Sequence, residues 1–231
     1  MGTSTVEIYS AWHRQAFYIG IVALVLGLAT IGLALFAAGE LRRRNLAEKR
    51  LKALATTDGL TGLSNRRTFD HSLQKEWSRA ARQGKSLAVL MIDADHFKSY
   101  NDRCGHQAGD KALIAIARAI AANVRADLDV SARYGGEEFA VLLAGASLHE
   151  AFRVAESIRR SVVAVDPRDP TGLSCPTVSV GISSCVPSEA SRADELVAAA
   201  DRALYAAKGK GRNRTTAEQI QFQASKVAVA A

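Results

Sequence analysis

The sharpest break in the pattern of apolar and polar positions comes early. From Phe17 to Ala38 the chain runs 22 residues without a charge. As a helix rising about 1.5 Å per residue this stretch spans roughly 33 Å, enough for a bilayer core of about 30 Å. Arg42, Arg43 and Arg44 follow at once, with Lys49, Arg50 and Lys52 behind them. Basic residues after the apolar run, rather than before it, favour a stop-transfer segment over a cleaved leader. The pattern predicts a short outer segment over 1–16 and one membrane-spanning helix over 17–39, with the lipid bilayer as its partner. Everything after Arg42 is then expected on the cytoplasmic side of an inner membrane. Ala47, Leu51 and Leu54 keep helical spacing and predict a helical connector over 40–56.

Beyond residue 56 helical and strand periodicities alternate. Thr57 to Arg67 is rich in turn formers and reads as a structured loop. Thr68 to Gln83 reads as a helix closed by Gly84. Ser86 to Asp93 is almost continuously apolar, the mark of a strand buried on both faces. A polar loop with Asn101 and Asp102 follows, then a flexible loop over Gly105 to Gly109. Asp110 to Arg125 carries Leu113, Ile116, Ala117, Ile120 and Val124 on one stripe and reads as a helix. Val130–Arg133 and Ala140–Leu143 flank Tyr134–Phe139 as the arms of a hairpin. A helix is expected over Leu148–Val165, a strand over Thr177–Ser184 and a helix over Ala193–Ala207. The tail, 216–231, lacks a clear pattern, and there is no internal repeat.

Composition narrows the class. The chain has 231 residues, 48% of them hydrophobic, and only four prolines, which suits one folded domain with an appendage. Its net charge of +7 is uneven. Residues 40–56 hold six basic and two acidic side chains, and 208–231 hold five and one. Basic charge beside an apolar run and at the C-terminal end gives no nucleic-acid partner. Cys104, Cys175 and Cys185 form no Cys-x-x-Cys pair and read as reduced thiols. Phosphate-loop, dinucleotide and nucleophile-elbow signatures are absent.

The chemistry gathers at two acidic places. Glu137 and Glu138 stand side by side at the tip of the expected hairpin, where like charges add nothing to a turn. They read either as a solvated acidic turn or as a seat for a cation. Asp93 ends the expected buried strand, either as a strand-end cap or as a second hard-oxygen donor. Two such carboxylates suit Mg²⁺, which takes phosphate oxygens and water for the rest of its octahedron. Lys98, Lys208, Arg212 and the backbone N–H groups of Asp95–Lys98 are candidate partners for the anion. Lys208 and Arg212 read equally as a basic helix end favoured by the helix dipole. His96 and His106 lack a second ligand at metal spacing and read as loop histidines.

Six motifs then occur in order: D-G-L-T-G-L-S-N-R-R, I-D-A-D-H-F-K-S-Y-N-D, G-H-Q-A-G-D, R-Y-G-G-E-E-F, V-S-V-G-I and A-D-R-A-L-Y-A-A-K-G-K-G-R-N. Over about residues 57–214 the chain resembles the GGDEF family of diguanylate cyclases, in its G-G-E-E-F variant. The resemblance implies an α+β, nucleotide-cyclase-like fold related to the polymerase palm. Its ferredoxin-like core would be a central antiparallel sheet flanked by helices, in a catalytic domain over 57–215. It implies a homodimer holding two GTP molecules, each 3′-hydroxyl attacking the other's α-phosphate to give cyclic di-GMP and two pyrophosphates. Two Mg²⁺ per GTP, or Mn²⁺ in their place, are implied as cofactors. Asp93, Glu137 and the carbonyl of Ala94 match the family's metal ligands. Glu138 matches the second signature acid, and Gly135 and Gly136 leave room for α-phosphate and ribose. Asn101 and Asp110 match the guanine readers. Phe97 and Lys98 match the phosphate-binding turn, and Lys208 and Arg212 the far phosphate clamp. One departure stands out. Where many members carry an inhibitory Arg-x-x-Asp that binds product, Asp129 is kept but Ala126 replaces the arginine, and Arg125 is one position off. The other reading of the motif set is a non-catalytic nucleotide-binding receptor or scaffold, but such modules usually lose the acids kept here.

Overall fold

The computed structural model describes residues 26–28, 30–33, 35–36, 38–39, 56–163, 176–188 and 191–220. The chain divides into two compact units, Met1–Ala55 and Thr56–Ala231. The readings for 1–16, 40–55 and 221–231, and for Cys175, lie outside the described residues.

The expectation of a single-pass membrane protein is overturned. Among the described residues no helix is long and apolar enough to cross a membrane. Described helical positions in that stretch run from Leu26 to Gly39. The membrane-anchored description and the bilayer partner are not shown among the described residues.

In the second unit the order is β1 (Ser64–Asn65), α1 (Arg66–Gln83), β2 (Leu87–Ala94), α2 (Phe97–Cys104), α3 (His106–Ala122), β3 (Val130–Arg133), β4 (Glu138–Ala144), α4 (Leu148–Val163), β5 (Val178–Cys185), α5 (Ala193–Gly209) and β6 (Thr215–Gln219). The strands form one sheet in the order β1-β3-β4-β2-β5-β6. Its inner four strands pair antiparallel and run β-α-α-β-β-α-β along the chain. The expected antiparallel sheet is therefore its centre only. Each edge adds a parallel pair, β1 with β3 and β5 with β6, making the whole sheet mixed.

The apolar run of β2 is explained by its place between β4 and β5, with helices on both faces. All eight of its residues are buried. Ala88, Leu90, Ile92 and Ala94 join one core with Phe139, Val141, Val180, Ile182, residues of α3 and Ile158 of α4. Leu87, Val89 and Met91 join the other with Phe69 and Leu73 of α1 and Leu196 and Leu204 of α5. Alternation of side chains across the sheet divides one hydrophobic string between two cores.

Local signals account for most boundaries. Asn65 caps α1, accepting from the Thr68 N–H at 3.0 Å, and Gly84 closes it in the left-handed region at φ 61°. The loop expected over Gly105–Gly109 is instead the start of α3, with Gly109 buried inside it. The reason is contact across α2: a Cβ at Gly109 would lie 1.8 Å from Asn101 Oδ1. Strand β6 has no apolar alternation to announce it, because it is a half-exposed edge.

Gly181 of β5 lets the sheet and α5 touch backbone to backbone. A Cβ there would meet the Ala200 carbonyl oxygen and the Leu204 nitrogen, both at 2.2 Å. Gly181→Ala is expected to cost about 3 kcal/mol or more, since no flexible side chain end can yield. Urea denaturation of the full chain checks this, and an unchanged midpoint would contradict the close approach.

Candidate active site

The buried end of β2 and the β3–β4 hairpin meet by register. Asp93 pairs with Glu138 across one ladder and with Ser179 across the other. The Ala94 N–H donates to the Glu137 carbonyl at 3.2 Å, tying the strand end to the hairpin tip. At that tip the Tyr134 and Gly135 N–H groups both donate to the Glu138 carbonyl, at 2.8 and 3.1 Å. Neither Gly135 nor Gly136 has positive φ, so the pair does not serve a left-handed turn. Gly135 instead makes way for a carboxylate: a Cβ would lie 2.5 Å from Glu138 Oε2. Gly136 faces open space, the room a phosphate approaching the backbone needs.

This gathering of acids is electrostatically uphill. Asp93 is 7% exposed, and burial raises its pKa. Lys208 opposes the rise, and the charges of Glu138 and Asp95 reinforce it. Burial likewise raises the pKa of Glu137, with Asp93 and Glu138 adding repulsion. The compensating cation is Lys208, whose Nζ lies 2.9 Å from Asp93 Oδ2. Among the described residues no three His, Cys, Asp or Glu side chains converge as a ready-made metal site. The donor set nonetheless fits Mg²⁺. Asp93 and Glu137 offer hard oxygens from two elements, their charge is only partly balanced, and Mg²⁺ needs only one or two protein carboxylates beside a polyphosphate.

The other expected residues stand on α2, on α3 and at the end of α5. Phe97 is buried at the start of α2, and Lys98 is exposed one residue on. The Asp95 N–H is not free for an anion, because it donates to the Thr177 carbonyl at 2.7 Å. The first turn of α2 is left with the unpaired N–H groups of any helix start. Asn101 Oδ1 is buried with no hydrogen-bond partner. Asp110, exposed on α3, follows the glycine that Asn101 packs against. An orphaned buried acceptor beside an exposed carboxylate is a place for a ligand with paired N–H donors. Lys208 lies in the last turn of α5 and Arg212 in the turn beyond it.

Residue-type reasoning missed what holds the hairpin. Arg133 donates to the Gly136 carbonyl through Nε (3.0 Å) and Nη2 (2.7 Å) and also pairs with Asp58 at 3.3 Å. Asp58 is fixed in turn by the Thr61 N–H and hydroxyl, at 2.9 and 2.7 Å. Beside them the Arg66 guanidinium lies 4.3 Å from the Tyr134 ring centre, and Phe69 meets that ring edge-on. The turn-rich stretch after Thr57 signalled a structured loop, but nothing in the string says that its acid reaches residue 133. At the altered product motif, the exposed Arg125 folds back onto its own turn. It holds Asp129 through Nε (2.9 Å) and Nη2 (2.7 Å), while the Arg125 and Ala144 N–H groups complete that carboxylate's partners at 3.0 and 3.2 Å.

Comparison with known proteins agrees with this geometry. The family model described as "Diguanylate cyclase, GGDEF domain" matches residues 55–214. The Probable diguanylate cyclase DgcC of Escherichia coli is 37% identical over 172 residues, which is 73% of this chain and 44% of DgcC. Diguanylate cyclase DgcP of Pseudomonas aeruginosa is 40% identical over 74% of this chain and 25% of its own length. The chain thus spans less than half the length of these curated relatives. Among solved structures, the coiled coil and GGDEF domain of DgcB from Caulobacter crescentus, in complex with c-di-GMP, superposes with a TM-score of 0.66. It is 34% identical, with 79% of this chain and 95% of that one covered. The fold is accordingly of the GGDEF nucleotide-cyclase α+β type.

The raised pKa of Glu137 has a measurable sign. The folded state holds this proton to higher pH than the unfolded chain, so the associated stability is present below the ordinary carboxylate range and is lost as pH rises through the raised value. Glu137→Gln is expected to melt about 1–3 °C above wild type at pH 7.5, a small gain because the group is only half buried. The difference should shrink toward pH 4. Thermal unfolding at both pH values checks this, and a lower melting temperature at pH 7.5 would contradict the repulsion.

Proposed function

The chain belongs to the GGDEF-domain diguanylate cyclase family, and from that membership we propose that it condenses two GTP into cyclic di-GMP and two pyrophosphates. The observation that carries the reading is the register of Asp93 against Glu138 beside Lys208. It gathers hard oxygens and a cation at one rigid end of the sheet's central strands. The catalytic domain is taken as residues 57–215, acting as a homodimer in which two such sites face each other.

Each half-reaction forms a bond from a 3′-oxygen to the partner nucleotide's α-phosphorus. It breaks the bond from that phosphorus to the pyrophosphate oxygen and releases the hydroxyl proton. Two rounds close the ring. Asp93, Glu137 and the Ala94 carbonyl would hold two Mg²⁺, which lower the pKa of the hydroxyl and neutralise the leaving group when bound. Glu138 lies against the Gly135 backbone, within the hairpin that faces the reacting atoms, and is the nearest candidate to take the proton. Gly136 leaves the α-phosphate space to approach. The first turn of α2, with Phe97 and Lys98, would cradle the phosphates, while Lys208 would exchange Asp93 for the polyphosphate and Arg212 grip its far end. Asn101 and Asp110 would read guanine, Asp110 accepting from N1–H and the exocyclic amine, a donor pair that adenine lacks.

The full chain incubated with GTP and Mg²⁺ is expected to yield cyclic di-GMP by chromatography, and Glu137→Ala to yield none above background. ATP should not be consumed. Asp110→Asn should narrow the preference for GTP by about ten- to a hundredfold, the scale of one or two lost charged hydrogen bonds. Near wild-type turnover by Glu137→Ala, or equal use of ATP by the wild type, would overturn the assignment.

Product feedback is expected to be weak. Arg125, the neighbour of the missing arginine at 126, is forked onto Asp129, and that carboxylate has no spare acceptor site. Initial rates against added cyclic di-GMP should fall little in the wild type and steeply in Ala126→Arg. Strong inhibition of the wild type at low product, lost on Asp129→Ala, would show that the Arg125–Asp129 pair opens to bind product.

A further inference from the structure

Behind the phosphate clamp lies a second constellation that the chemistry above does not use. Between α5 and β6 the chain turns through Gly211, Arg212 and Asn213, all at positive φ: 107°, 60° and 43°. Two consecutive side-chain-bearing residues in the left-handed region are disfavoured and persist only where surrounding contacts over-determine them. Here the contacts are explicit. The Arg212 N–H donates to the Ala207 carbonyl at 3.1 Å, and the Arg214 carbonyl accepts from the Val180 N–H at 2.9 Å. The Asn213 N–H donates to Asp95 Oδ2 at 3.0 Å. Asn213 Oδ1 accepts from Arg159 Nη1 at 2.8 Å.

Both outer partners are themselves fixed. Asp95 is 4% exposed and also accepts from Thr177 Oγ1 at 2.7 Å and Ser179 Oγ at 2.6 Å. With three donors on its two oxygens it is a structural anchor, not a third metal ligand beside Asp93. Arg159 is forked onto Glu156 at 3.0 and 2.9 Å, and Glu156 also accepts from Thr215 Oγ1 at 2.6 Å. A hydrogen-bonded chain therefore runs from α4, through the strained turn, to the residue two beyond Asp93. At its centre the Arg212 guanidinium makes no hydrogen bond or ion pair among the described residues. Arg125, Arg133, Arg159 and Arg202 all hold carboxylates. A turn with only a packing role would have no use for an arginine at the left-handed position.

We propose that Asp95, Asn213 and Arg159 are positioning residues that hold this strained turn so that Arg212 stands free to meet the nucleotide's polyphosphate. The proposal deepens the cyclase reading and rests on it. It assigns the acid two residues after Asp93 to the clamp rather than to the metal, and it makes an α4 arginine part of triphosphate binding.

The test uses the full chain with Arg159→Gln, which cuts the link at the α4 end without entering either hydrophobic core, and Asp95→Asn at the opposite end. KM and kcat for GTP are measured, with inhibition by guanosine (base and ribose without phosphates) and the rate of trypsin cleavage after Lys210, Arg212 and Arg214. Arg159→Gln is expected to raise KM for GTP about tenfold, the scale of one charged hydrogen bond. Its kcat should stay within about threefold, its guanosine inhibition should be unchanged, and the turn should be cleaved faster. Arg159→Lys should recover part of the KM, and Asp95→Asn should shift KM at least as far. An Arg159→Gln KM within twofold of wild type overturns the proposal, whatever trypsin does. So does an equal weakening toward guanosine, which would signal a general loosening of the fold. A wild type that neither binds nor turns over GTP would overturn the cyclase reading and this one together. An active wild type with an unaffected variant would overturn this one alone.

Discussion

Everything at the candidate site depends on one constraint: the burial of β2 on both faces. Eight consecutive residues inside a sheet with helices above and below allow no slippage, since a shift of one residue would exchange the two cores' side chains. That rigidity delivers Asp93 to a fixed point opposite Glu138 and beside Ser179. The apolar register thus sustains an arrangement that electrostatics alone would disperse. Gathering several acids near a low-dielectric interior costs stability, and hydrophobic area along the same strand offsets it.

Cations complete the arrangement in two different ways. Lys208 reaches Asp93 from the end of a helix whose inner face is packed into the core, so the helix is fixed while the ammonium is exchangeable. Arg133 instead works on the backbone, forking onto the Gly136 carbonyl while Asp58 holds its far side. One cation balances charge that chemistry can borrow, and the other fixes the shape of the hairpin. The planar guanidinium suits the second task and the compact ammonium the first.

Much of this was legible in the string, and the failures have physical causes. The buried strand, the hairpin and the helices of α1, α4 and α5 follow from periodicity and from caps such as Gly84. Strand β6 was invisible because an edge needs no apolar alternation, and α2 with the first turn of α3 because polar, glycine-bearing helices lack an apolar stripe. The 22-residue apolar run met a length criterion for a membrane helix that no described helix satisfies. At the site, Asp93, Glu137 and Lys208 could be named from residue type and motif. The partners of Asp95 could not, since Thr177 and Asn213 stand 82 and 118 positions away and only the closed sheet brings them together.

Gly109 carries a lesson for anyone seeking a sturdier version of this chain. A glycine inside a helix is the first candidate for replacement by alanine, a change worth about 1 kcal/mol in helix propensity. Here the missing methyl is the space occupied by the Asn101 side chain, 1.8 Å from where the new carbon would stand. The stabilising substitution would push the Asn101 acceptor from its seat between α2 and α3. At this position helix strength and the packing of α2 against α3 compete for the same few cubic ångströms, and the sequence has conceded helix strength.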